Sequence, residues 1–171
     1  MVRFCCFWIV ALEFFSTARA GVTEDAAKIL ETAGITGGFV VHLGAADGEL
    51  TVALQTSKSL QVQGLVKDAA AVDAARAAIR KAGKYGDVSA IQFAGKELPY
   101  IDNLVNLLIV EEPGDLTQDE LLRVVVPNGV VLKRDADGNW VKTVKPRPTN
   151  IDECRIICTM PAAMQWLMMT L

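Results

Sequence analysis

The feature that most constrains how this chain can fold is an alternation. Runs of apolar, β-rich residues, "GGFVVHL" (37–43), "LQVQGLV" (60–66), "DVSAIQF" (87–93), "LVNLLIV" (104–110) and "GVVLKR" (129–134), are mostly separated by stretches of helical character. Strands that alternate with helices are joined by crossovers, and crossovers build a parallel sheet with helices on both faces. A continuous apolar run such as "LVNLLIV" suits an interior strand, buried on both sides. After the Asp-Gly turn in "DADG", the segment "NWVKTVK" (Asn139 to Lys145) reads as an antiparallel hairpin strand. The expected fold class is therefore α/β: a three-layer sandwich with a mainly parallel sheet, helices on both faces and a C-terminal antiparallel hairpin strand.

The helical segments carry their own punctuation. From Thr23, a capping residue, "TEDAAKILETAG" places Ala26, Ala27, Ile29 and Leu30 in a helical pattern and ends at Gly34. "DGELTVALQTS" (47–57) follows the first strand, so that Gly44 to Gly48 forms a strand-turn-helix junction. Asp68 is the expected cap of an Ala-rich helix through Ala82, with Val72, Ala75 and Ile79 on one face and Gly83 as terminator. Thr117 and Glu120 in "TQDELLRVVV" have the spacing of a capping box.

With 171 residues, 51% of them hydrophobic and 22% charged, the chain suits one domain with its own core. A net charge of −3 argues against the broad basic surface that nucleic acid binding requires, so no nucleic-acid partner is expected. His42 is the single histidine, so a Ser-His-Asp triad has no histidine to spare. The cysteines, Cys5, Cys6, Cys154 and Cys158, all lie outside Gly21 to Glu153, which leaves that stretch without a disulfide framework or a zinc site.

Both ends differ from the middle. Arg3, the apolar run "FCCFWIVAL" and the small residues Ala18 and Ala20 make a signal-peptide pattern, with cleavage expected after Ala20 and export as its consequence, to the periplasm or outside the cell. The tail "CRIICTMPAAMQWLMMTL" is apolar and methionine-rich, unlike the end of a secreted domain. It is expected to be a frameshifted reading of a longer gene. The organisation is thus a signal peptide at 1–20, an α/β domain at 21–150 and an atypical tail at 151–171.

The middle of the chain resembles the class I S-adenosylmethionine-dependent methyltransferases, which are Rossmann-like. "VVHLGAADG" is similar to their glycine-rich first motif, "VQGLVKDAAAVDAARAAI" to their second strand and helix, "GKELPYIDN" to the loop before the fourth strand, and "ELLRVVVPNGVVL" to the helix-turn-strand that closes the core. "LPYIDNLVNLLIVEEPG" and "VKTVKPRPTNIDE" also resemble the methyltransferase-like N-terminal region of exported bacterial PQQ-type β-propeller repeat proteins. The resemblance implies a cofactor crevice at Gly44 to Gly48, with His42, Gly44, Ala46, Asp47, Gly48, Lys67 and Asp68 as residual binding positions. It also implies a missing β-propeller, and an open sheet edge for self-association, because the family's sheet usually has seven strands.

The departures are specific. His42 replaces the family's acid before the glycine turn and Ala46 its middle glycine. Val66 stands where an acid would bond the ribose hydroxyls, and Ala94 where an acid would meet the adenine amine. "EEPGD" (111–115) follows the fourth strand in place of an Asn-Pro-Pro-aromatic signature. The expected function is a catalytically inactive structural or binding module with no bound cofactor; the alternative is an active methyltransferase using S-adenosylmethionine. On residue type alone, His42 reads as a core histidine, and the adjacent Glu111 and Glu112 as side chains pointing apart.

Overall fold

The computed structural model describes residues 10–45, 48–135 and 138–148, with side chains from residue 21 onward. The expectations about the first nine residues and the tail lie outside these. The elements in order are α1 (Val10–Ala33), β1 (Gly38–Leu43), α2 (Glu49–Leu54), β2 (Leu60–Val66), α3 (Ala69–Lys81), β3 (Val88–Gln92), β4 (Val105–Val110), α4 (Gln118–Val124), β5 (Val125–Arg134) and β6 (Trp140–Val144). They form one six-stranded sheet in the order β3-β2-β1-β4-β5-β6. The first four pairings across this order are parallel and β5–β6 is antiparallel. This is the α/β architecture expected from the alternation.

Two apolar layers hold the sheet. On one face Ala26 and Ile29 of α1, Leu54 of α2 and Ala75 and Ile79 of α3 pack on Val40, Val62, Leu107 and Leu132. On the other, Leu121 and Val124 of α4 and Leu98 of the 93–104 loop cover Val41, Leu108 and Val131. The loop is fixed by Arg123, whose Nε and Nη2 donate to the two carboxylate oxygens of Glu120, each at 2.7 Å, while Nη1 reaches Asp102 at 2.6 Å and the Tyr100 carbonyl at 3.0 Å. The Glu120 carboxylate also accepts from Leu98 N at 2.7 Å. A bidentate arginine suits this task because its planar fork fixes two groups at once.

Several boundaries differ from the sequence expectation. α1 does not begin at Thr23 but runs unbroken past Ala20; Ala18 and Ala20 favour a helix, and Gly21 alone costs only about 1 kcal/mol relative to alanine. Its end is as expected, with Gly34 at φ +74° and its N–H bonded to the Leu30 carbonyl. α2 is shorter than expected, because the Lys84 ammonium takes the carbonyls of Val52 and Gln55 and closes the helix there. Asp68 occupies the N-cap of α3 but its side chain makes no capping bond. Thr117 caps α4 by accepting from Glu120 N at 3.3 Å; the Glu120 carboxylate serves Leu98 and Arg123, so the capping box is half formed. Val125 and Val126, assigned to the helix by pattern, begin β5, as suits β-branched residues. A register shift between Val105 and Leu107 marks the same stretch.

Gly48 packs where only glycine fits. Its φ is +76°, and a Cβ would lie 2.8 Å from both Cα and Cβ of Ala75 on α3. Gly83 has φ +68°, but a Cβ there would meet nothing within 4 Å. Gly83→Ala should therefore lose only the backbone term, about 1–2 kcal/mol, whereas Gly48→Ala adds overpacking and should lose roughly 2–4 kcal/mol in denaturant titrations. Equal losses at the two positions would remove the packing argument.

Candidate functional site

In an open parallel sheet the ligand crevice lies beyond the carboxyl ends of the strands, where neighbouring connections leave in opposite directions. Here that point lies between β1 and β4, flanked by β2 and β5. A crevice of about 190 Å³ opens there, with Gly44, Lys67, Ala94, Glu112 and Asp115 in its wall. Small-molecule pockets usually enclose about 300–1,000 Å³.

The expected site residues are only partly brought together. Gly44 and Lys67 line the crevice, and Gly48 is committed to α3. Gly44 has φ +94°, and a Cβ on it would come within 3.2 Å of Glu111 Cβ and Glu112 N, so the β4 end requires this glycine whether or not a ligand does. Asp68 is exposed at the start of α3. Ala46 and Asp47 lie outside the described residues. Val66 is 3% exposed and packs with Ala45 and Val72, an apolar plug between the first turn and α3.

His42 is buried in β1, 2% exposed, as the core reading expects, but it has polar company. Its Nδ1 lies 2.9 Å from Thr51 Oγ1 on α2, and its Nε2 lies 3.7 Å from Glu111 Oε2 beyond β4. The arrangement that serves both nitrogens has the Thr51 hydroxyl donating to Nδ1 and Nε2–H directed at the carboxylate. At 3.7 Å the latter is an electrostatic contact rather than a hydrogen bond, and among the described residues Nε2 is the buried side-chain polar atom without a hydrogen-bond partner. Arg134 at the end of β5 stands 3.9 Å from Glu111 Oε1, with its guanidinium 5.8 Å from the centre of the Trp140 ring. Glu111 thus turns inward while Glu112 lines the crevice, so the two glutamates do point apart.

Thr51, Glu111 and Arg134 were not legible as one group in the sequence. The one hint was that a buried histidine requires partners and that Glu111 follows a buried strand directly. The His42 ring is the main cause that holds the Glu111 carboxyl below its ordinary value of 4.5; Arg134 adds to it, and together they outweigh the burial that would raise it. A carboxyl lowered on folding contributes stability above its unfolded value, and that contribution is lost as the pH falls through the folded one. The stability gap between the wild type and Glu111→Gln should therefore be fully present at neutral pH and begin to close as the pH drops below about 4.5. A gap that stays constant through acid denaturation would mean that the carboxylate charge does not matter.

No protein-family model matches the chain, and no curated protein matches it in sequence. Its fold does have solved counterparts. A Methanococcus maripaludis protein assigned as an S-adenosyl-L-methionine-dependent methyltransferase is 22% identical with a TM-score of 0.62, over 74% of this chain and 61% of that one. Geranyl diphosphate C-methyltransferase from Streptomyces coelicolor, solved with Mg²⁺, geranyl diphosphate and S-adenosyl-L-homocysteine, is 17% identical with a TM-score of 0.58, over 65% of this chain and 44% of that one. The [4+2]-cyclase SpnF is 19% identical with a TM-score of 0.58, over 65% and 43%. The chain thus spans less than two thirds of the length of each of these proteins. Likeness at this level of identity establishes the fold: a Rossmann-like α/β domain of the kind found in class I S-adenosylmethionine-dependent methyltransferases.

Proposed function

We propose that this chain is a methyltransferase-fold module that acts through binding or structural support, with a crevice that does not serve S-adenosylmethionine. The observation that carries this reading is Val66. At the end of β2, where the resemblance calls for a carboxylate that bonds the ribose, a valine packs into an apolar cluster with Ala45 and Val72. The residues present do not fit the cofactor elsewhere either. Ala94 in the crevice wall offers no side-chain acceptor, and the His42 ring is engaged with Thr51 and Glu111. A hydrogen bond to a charged acceptor contributes about 1.5–3 kcal/mol, so the loss of two weakens binding by roughly two to four orders of magnitude.

Export belongs to the same proposal. The apolar N-terminal run and the small residues before Ala20 support it, as does the resemblance to exported propeller-associated domains, whose β-propeller would be the natural covalent partner. Among the described residues no helix is long and apolar enough to cross a membrane.

A second reading, an active methyltransferase, draws on the crevice itself. It lies at the switch point and has Gly44 and Lys67 in its wall, with Asp68 nearby in sequence, as candidate cofactor contacts, while Glu112 and Asp115 of "EEPGD" line the side where a substrate would lie. Calorimetric titration of the folded protein with S-adenosylmethionine, and separately S-adenosylhomocysteine, separates the two. No heat at millimolar ligand is the expected result. Micromolar binding of either would replace the first reading with the second.

A further inference from the structure

β6 closes one end of the sheet, and among the described residues nothing pairs with its outer side. Backbone groups on a strand alternate in direction, and the contacts with β5 fix which ones face out. Lys145 N donates to Gly129 O, its own carbonyl accepts from Asn128 N, and Asn139 O accepts from Asp135 N. Residues 139, 141, 143 and 145 therefore turn their backbone groups toward β5, while Trp140, Lys142 and Val144 present theirs outward.

Natural sheets protect such an edge with charge, above all with lysine. β6 has Lys142, and Lys145 follows it, but both ammonium groups turn back onto the chain. Lys142 Nζ donates to the carbonyls of Thr32 and Ala33, at 2.7 and 3.2 Å, where it complements the negative end of α1. Lys145 Nζ bonds Asn103 Oδ1 at 2.6 Å and the Val125 carbonyl at 2.8 Å. What remains on the edge is uncharged, with Val141 51% and Val144 48% exposed on either side of Thr143.

We propose that β6 pairs with β6 of a second copy of this chain, antiparallel about a two-fold axis at Lys142, to join two sheets into one. This register brings together the outward groups of Trp140 and Val144 of the second copy, of the two Lys142 residues, and of Val144 and Trp140 of the second copy. It is self-complementary, as a two-fold interface must be. Shifting the axis to Thr143 would set Trp140 opposite Pro146, which has no N–H to donate. On the opposite face Val141 meets Thr143 of the second copy, a valine–threonine contact across the pair. The one like-charge juxtaposition, Lys142 against its copy, is relieved because each ammonium is already held by its own α1.

Sedimentation of the full chain under reducing conditions tests this, together with Val144→Pro. That substitution removes an outward N–H and leaves the β5 ladder its hydrogen bonds. The wild type should show a concentration-dependent doubling of mass; the variant should keep the wild-type circular dichroism and the monomer mass. A wild type that stays monomeric at every concentration, or a variant that dimerises as the wild type does, overturns the proposal. Should the proline variant fail to fold, an equimolar mixture of Val141→Cys and Thr143→Cys chains decides under mild oxidation. A disulfide mapped between the two substituted positions supports the register, against a wild-type control that carries the native cysteines; its absence overturns it.

Discussion

A parallel sheet must be covered on both faces, and among the described residues one face of this sheet has little to cover it. Among the described residues three helices pack on one side, whereas the other has a seven-residue helix and a loop. The Arg123 fork makes that loop a layer. By holding Glu120, Asp102 and the carbonyls of Leu98 and Tyr100 together, it seats Leu98 in the core and brings Tyr100 edge-on to Phe39, at 5.7 Å between ring centres. The Tyr100 hydroxyl then donates to Gln63 Oε1 at 2.6 Å, which ties the loop to β2 as well. Burial raises the Tyr100 pKa, so the hydroxyl keeps the proton that this bond requires.

The demands of packing also account for the glycines at the mouth of the crevice. Gly44 and Gly48 preserve the sharp turn after β1, yet each answers to a protein neighbour, β4 for one and α3 for the other. The fold therefore needs both glycines whether or not a ligand binds. Val66, by contrast, lies in an apolar cluster with Ala45 and Val72, and Ala94 brings no polar side-chain atom to the crevice wall.

The sequence made the sheet legible because each interior strand is an apolar run bounded by glycine or a turn, and β4 is the clearest case. The buried face of α3 was equally plain, since Val72, Ala75 and Ile79 recur at helical spacing. Boundaries set by tertiary contacts were not legible. Nothing near Gln55 announces that Lys84, 29 residues later, will close α2, and the run Val124 to Val126 reads equally as helix or strand until β4 is there to pair with it. The polar group at His42 was hidden for the same reason, because Thr51, Glu111 and Arg134 come from three separate elements.

The lysine of β6 that closes α1 links the first helix of the domain to its last strand across 110 residues. During synthesis the end of α1 has no such partner until nearly the whole domain has left the ribosome. The amino-terminal helix can form early from local bonds, but its final turn is completed only when the far edge of the sheet docks. Such long-range closure makes assembly slow relative to a chain of local contacts. The end of α1 and the edge of the sheet are thus joined by two hydrogen bonds from one side chain.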